Sequence, residues 1–123
     1  MPTSIVLIAH GSRRPEANAE LEWVAQQLRQ RYPQWLVECA YLEIAEPTIP
    51  QAIANCVQRG ADCVVLAPYF LSSGRHVSDD LERIRGDAQA RFPRVRLLLT
   101  KPLGPHELLV QLLEQRIAEA LNI

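Results

Sequence analysis

A chain of 123 residues and 13.9 kDa is the size of one compact domain, because single cores are commonest at roughly 100–150 residues, and two full domains are excluded. Hydrophobic residues make up 48% and charged residues 22%, which supplies apolar surface for a packed core and excludes disorder for want of one. Thirteen basic against fourteen acidic side chains leave a net charge of -1 and a pI near 6.3, so nothing draws the whole molecule to nucleic acid or an anionic membrane.

No positive charge precedes the first apolar run and no small-residue cleavage pattern follows it, so a secretory leader is not expected and the cytoplasm is the expected location. That run, over residues 4–9, is a continuous β-branched stretch of the kind buried on both faces of a sheet. It is far shorter than the roughly 18 apolar residues of a membrane span. It stops at His10-Gly11-Ser12. After Pro15, the residues Leu21, Val24, Ala25 and Leu28 recur on one helical face and Pro33 ends the pattern, which predicts a helix over about residues 16–31.

Residues 35–42 read as a second strand. Thr48 then precedes Ile49, Ile53, Cys56 and Val57, a helical face with a hydroxyl at its N-cap and Gly60 as its stop. Residues 63–68 form the third strand, followed by an irregular stretch to His76 and a helix carrying Val77, Leu81, Ile84 and Ala88 on one side, closed by Pro93. Residues 95–99 are the fourth strand. A Pro/Gly loop over 101–105 leads to a last amphipathic helix lined by Leu109, Leu112, Leu113, Ile117 and Ala120. Cys39, Cys56 and Cys63 form no C-x-x-C pair and lie in apolar segments, so buried, reduced thiols are expected rather than a disulfide frame or a zinc site.

Strands alternating with helices across short connections predict a parallel sheet covered on both faces. The expected fold is therefore α/β and three-layered, with a four-stranded parallel sheet in the order 2-1-3-4, the flavodoxin-like winding, as one domain over residues 1–123. In such sheets ligands bind beyond the carboxyl ends of the strands, where the winding reverses, which selects the loops after strands one and three. His10 stands at the end of the first strand and His76 at the entrance to the third helix, so two of the three histidines converge there. His106, at the start of the last helix, reads as a cap or a solvent-facing residue.

Glu43 and Glu46 add carboxylates to the same rim, although both also suit plain solvated positions near the N-terminal dipole of the second helix. Arg13, Arg14 and Arg75 flank the two histidine loops and would suit a ligand bearing carboxylates. There is no G-x-x-x-x-G-K-[ST] cradle, no G-x-G-x-x-G turn and no G-x-S-x-G elbow, so nucleotide use and serine hydrolysis have no motif. His10-Gly11 is similar to the opening of a histidine phosphatase, but the Arg those enzymes carry before the His is Ala9 here.

Three segments together carry a resemblance. Ile8-Ala9-His10-Gly11-Ser12-Arg13, Tyr41-Leu42-Glu43-Ile44-Ala45-Glu46-Pro47 and the run from Pro68 through Ser72-Ser73-Gly74-Arg75-His76 to Leu81 resemble the short-form sirohydrochlorin cobaltochelatases. These belong to the class II, ATP-independent tetrapyrrole chelatases. The resemblance implies a lyase that inserts Co²⁺, or Fe²⁺ or Ni²⁺, into sirohydrochlorin for cobalamin or sirohaem biosynthesis. It implies His10 and His76 as the metal-binding and catalytic pair, with Glu43 at the active-site rim.

The chemistry agrees with that implication. Metal insertion needs the inner N–H protons to leave, the macrocycle to bend and the ion to shed water. A neutral imidazole, as a class titrating at about 6.5, can hold such an ion loosely and take a proton near neutral pH. Ser12, Arg13 and Arg75, with the backbone around Ser72, Ser73 and Gly74, are expected to receive the peripheral carboxylates. No cofactor beyond the divalent metal substrate is expected. Long-form members of that family contain two such units with the site between them, so a homodimer clamping the tetrapyrrole is expected here, with Trp23, Leu103 and Phe70 as candidate contacts. The alternative is a non-enzymatic flavodoxin-like module that binds a metal, flavin or corrinoid.

Overall fold

A run that is apolar at every position from Ile5 to Ile8 has no side to offer to water, and with the small Ser4 it becomes the buried heart of the central strand β1 (Thr3–Ala9). The computed structural model describes residues 2–72 and 74–123. Strand β2 (Leu36–Tyr41) pairs in parallel with one edge of β1 and β3 (Cys63–Pro68) with the other, and β4 (Arg96–Leu99) pairs with β3, which gives the expected order 2-1-3-4. Register sets Ala9 opposite Tyr41 and Ile8 opposite Pro68, so the loops leaving β1, β2 and β3 begin at one level.

The sheet separates the core into two layers by the alternation of its side chains. Val6, Ile8, Val64, Leu66 and Leu97 point to one face and are closed over by α2 (Ile49–Gln58) and α3 (Arg75–Arg91) through Ala52, Ile53, Cys56, Leu81 and Ala88. Ile5, Leu7, Val37, Cys39 and Tyr41 point to the other and pack under Leu21 and Ala25 of α1 (Pro15–Arg31). Each aliphatic side chain withdrawn from water this way contributes roughly 1.5–3 kcal/mol before the entropy of ordering it.

Helix starts follow the local chemistry. Pro15 takes the first helical position of α1, one residue earlier than expected, because its fixed φ and missing N–H suit that place. Thr48 caps α2 as its hydroxyl suggested: its Oγ1 accepts from the Gln51 N–H at 3.3 Å while Gln51 Oε1 accepts from the Thr48 N–H at 2.9 Å. Among the thiols, Cys39 and Cys56 are buried, whereas Cys63 is only half-buried and departs from the expectation. The last helix, α4 (Glu107–Leu121), has no buried residue at all. No helix among the described residues is long and apolar enough to cross a membrane.

Candidate functional site

The common level of the strand ends gathers three loops into one rim, and main-chain hydrogen bonds stitch them together. The Leu42 N–H donates to the Ala9 carbonyl and the Glu43 N–H to the His10 carbonyl, each at 3.0 Å, while the Tyr69 N–H donates to the Ile8 carbonyl at 2.8 Å. Gly11 is what permits the closure. Its φ is +100°, and a Cβ there would lie 1.9 Å from the Glu43 carbonyl oxygen. His10 and Glu43, far apart in the chain, are thus fixed to one another through their backbones.

Asn18, in the first turn of α1, latches the other end of the His10 loop. Its Oδ1 accepts from the Ser12 N–H at 3.1 Å and its Nδ2 donates to the Ser12 carbonyl at 2.8 Å. Ser12 Oγ accepts from the Arg14 N–H at 3.1 Å, so this hydroxyl shapes the turn and keeps its O–H as a donor. The exposed imidazole of His10 stacks on the Phe70 ring with centroids 4.4 Å apart and planes 22° from parallel. Phe70 is itself 6% exposed. A ring wedged in the core therefore props a ring in solvent, and Phe70 is withdrawn from the surface on which it was expected to serve as a contact between copies.

His76 lies in the first turn of α3, on the loop adjacent to that of His10, and its side chain is 92% exposed with Asp80 Oδ2 at 3.7 Å from Nε2. Gly74 is the N-cap residue of α3 without a side-chain cap, Ser72 is exposed, and Ser73 lies outside the described residues. Arg13, Arg14 and Arg75 are exposed, and among the described residues none of them enters an ion pair. Ile44, Tyr69 and Leu71 stand out from the same rim as exposed apolar side chains. Ile44 does so at φ 72°, a left-handed conformation that costs a β-branched residue on the order of 1–3 kcal/mol and that the stitched loops hold in place.

Other expected residues fall elsewhere. Glu46 lines a groove of about 760 Å³ along the free edge of β2, away from His10. That groove holds its own charges in pairs, Arg29 with Glu22 at 2.6 Å and Arg59 with Glu38 at 3.0 Å. The Arg29 guanidinium holds the Glu22 carboxyl below the usual carboxylate range, chiefly by hydrogen bonding to it. Burial, and then the bond its S–H donates to Glu22, pushes the Cys39 thiol up to about 12. His106 caps α4, its Nδ1 accepting from the Leu108 N–H at 3.0 Å. Among the described residues, no three or more side chains of His, Cys, Asp or Glu gather as a ready metal cage.

Asn18 escaped the sequence reading, and Phe70 entered it only as a candidate contact between copies, not as the support of His10. The available signal for that role was a large apolar ring two residues beyond the end of a strand, just before the chain turns polar at Ser72. Asn18 gave none, because an Asn in a first helical turn is ordinary.

Comparison with known proteins shows the family of the chain. The CbiX family model matches residues 4–120. The chloroplastic sirohydrochlorin ferrochelatase of Arabidopsis thaliana is 41% identical over 96% of this chain and 52% of its own length. A sirohydrochlorin cobaltochelatase of Methanosarcina acetivorans is 32% identical over 95% of both chains. Among solved structures, the sirohydrochlorin chelatase SirB of Bacillus subtilis subspecies spizizenii, in complex with cobalt, superposes with a TM-score of 0.86 at 28% identity, over 97% of this chain and 51% of that one. The chain thus spans about half the length of the Arabidopsis relative and of SirB, and nearly all of the archaeal one.

Proposed function

The chain belongs to the CbiX family, and on that premise we propose that it inserts Co²⁺ or Fe²⁺ into sirohydrochlorin without ATP, as a cytoplasmic homodimer with one chelatase unit, residues 1–123, in each copy. The observation that carries the reading is the His10 imidazole. It is exposed at the carboxyl end of the central strand, propped by Phe70 and locked by main-chain bonds to the loop of Glu43. A base held in one orientation, open to a ligand on its free side, is what a proton-accepting metal handler needs.

In this reading His10 and His76 hold the ion and take protons. A tetrapyrrole releases its inner N–H protons as the metal enters, and neutral imidazole nitrogens accept them near neutral pH. Two imidazoles leave the ion positions that pyrrole nitrogens can fill in turn, which is the open-site logic of reactive metals. A thiolate would hold the ion too firmly, and the three thiols lie in strands β2 and β3 and in helix α2, below the rim.

The substrate is broad, flat and ringed with carboxylates. Ile44, Tyr69 and Leu71 offer its apolar body a shelf, and the guanidinium groups of Arg13 and Arg75, in no ion pair among the described residues, receive its rim bidentately. Ser12, Ser72, Ser73 and the backbone at Gly74 supply further donors, and Glu43 sets a carboxylate beside the departing protons. No cofactor other than the metal substrate enters the scheme. Metal affinity at imidazole sites rises from Fe²⁺ through Co²⁺ to Ni²⁺, so supply selects the ion more than the ligands do, and Ni²⁺ is a competent substitute.

Anaerobic mixing of the protein with sirohydrochlorin and Co²⁺ tests the proposal. The absorption bands shift to those of the metallated ring faster than in the protein-free control. A protein that binds the ring or the ion while leaving that rate unchanged is a carrier module and not a chelatase.

A further inference from the structure

The loop after β1 is held at two separate places, one on either side of Gly11. On the His10 side the grip falls on the imidazole, which stacks on Phe70, and on the His10 carbonyl, which accepts from the Glu43 N–H. On the far side it falls on Ser12 and Arg14, and it centres on Asn18. The two grips share no residue.

Asn18 reaches the loop with its side chain and its main chain together. Its amide meets Ser12 as a neighbouring strand would, accepting from the N–H and donating to the carbonyl of the same residue. Its own N–H donates to the Arg14 carbonyl at 3.4 Å. The Ser12 hydroxyl joins the two ends by accepting from the Arg14 N–H. Arg13 therefore stands at the apex of a closed ring of hydrogen bonds, exposed and in no ion pair among the described residues. From beneath, the Tyr41 O–H donates to the Asn18 carbonyl at 3.3 Å. Tyr41 ends β2 and is only 7% exposed, so the turn is tied to the sheet as well as to its helix.

The arrangement has a consequence for binding. An arginine that grips a carboxylate gives up side-chain freedom, and if its backbone had to order at the same moment, each residue so ordered would weaken binding by roughly five- to thirtyfold. A clamp closed beforehand removes that cost from the binding step. Its benefit is the same in the bound substrate and in the transition state, so it lowers KM and leaves kcat alone. The support under His10 has the opposite signature, since an imidazole out of line slows the proton transfer itself.

We propose that Asn18 is a positioning residue for substrate affinity: by clamping Ser12 and Arg14 it presents Arg13 to the carboxylates of the tetrapyrrole, independently of the contacts that orient His10. The inference rests on the chelatase reading and deepens it, dividing one loop into a reacting end and a holding end.

Equilibrium titration of metal-free sirohydrochlorin into the full chain, followed by its absorption, tests this together with anaerobic initial rates of Co²⁺ insertion. Asn18→Ala weakens tetrapyrrole binding and raises the KM for sirohydrochlorin about tenfold, while kcat and the KM for Co²⁺ stay within about twofold of the wild type. Ala19→Ser, on the exposed side of the same turn, moves none of these. Arg13→Ala weakens binding about tenfold in the wild type and less than about threefold in Asn18→Ala, because there the guanidinium is no longer presented. Tyr41→Phe keeps the buried aromatic side chain and removes only the O–H beneath the clamp. It shifts the same two quantities about threefold, and it takes the place of Asn18→Ala in the cycle with Arg13→Ala if that chain does not keep its circular dichroism. A fall in kcat at unchanged KM in Asn18→Ala, or full additivity of the Arg13 change with the clamp variant, overturns the proposal. A wild type that binds the tetrapyrrole without speeding insertion ends the chelatase reading and leaves the binding cycle to decide for or against the clamp. A wild type that binds no sirohydrochlorin overturns both.

Discussion

A methyl group at position 11 meets the Glu43 carbonyl oxygen at 1.9 Å on a backbone already at φ +100°. Gly11→Ala is therefore expected to lower stability by about 2–4 kcal/mol, read as a fall in the urea midpoint at unchanged slope. If His10 serves the reaction as proposed, Phe70 acts on it through that neighbour. Phe70→Leu keeps most of the buried volume but removes the flat support 4.4 Å from the imidazole, so turnover should fall about tenfold while far-ultraviolet circular dichroism is retained. If turnover is untouched, the stack does not position His10. His10 itself was legible in the sequence, because an imidazole directly after a buried run and before Gly-Ser marks a strand end turned toward solvent. Its support was not, since which ring leans on which depends on a contact between loops sixty positions apart in the chain.

At the scale of the elements, Cys39 on β2 couples the fold to pH. Its thiol ionises at 9.0 when free and is pushed to about 12 in the fold, first by burial and then by the bond to Glu22. The folded state therefore keeps a proton that the unfolded chain gives up. This contribution is full below pH 9.0 and is lost as pH rises toward about 12. The urea midpoint should fall more steeply between these values in the wild type than in Cys39→Ala, and equal slopes would contradict it. Thr48→Ala removes half of the capping box of α2 and should cost about 1 kcal/mol, again read in urea.

Element types and strand order followed from the alternation of buried runs with amphipathic stretches, and β4 merely proved a residue shorter than expected. The seat of α4 did not follow, because periodicity says that a helix has an apolar face and nothing of what lies against it. The pairing of Leu103 and Gly104 with the rim loop, which decides the matter, is a backbone event invisible in side-chain patterning.

For the whole molecule, the winding 2-1-3-4 sets β1 beside β3 and so puts the His10 and His76 loops side by side. On the proposed reading, an ion handled there by few protein ligands passes to the ring because the ring offers more. The account therefore requires both imidazoles for turnover and neither for folding. The most direct test is the rate of Co²⁺ insertion into sirohydrochlorin, measured anaerobically by the absorption shift, for the wild type, His10→Ala and His76→Ala, with His106→Ala as the capping control. Each of the first two substitutions is expected to slow insertion at least 100-fold, on the order of what a general base supplies, with secondary structure intact and the control near wild type. Wild-type rates in both His10→Ala and His76→Ala would contradict the account.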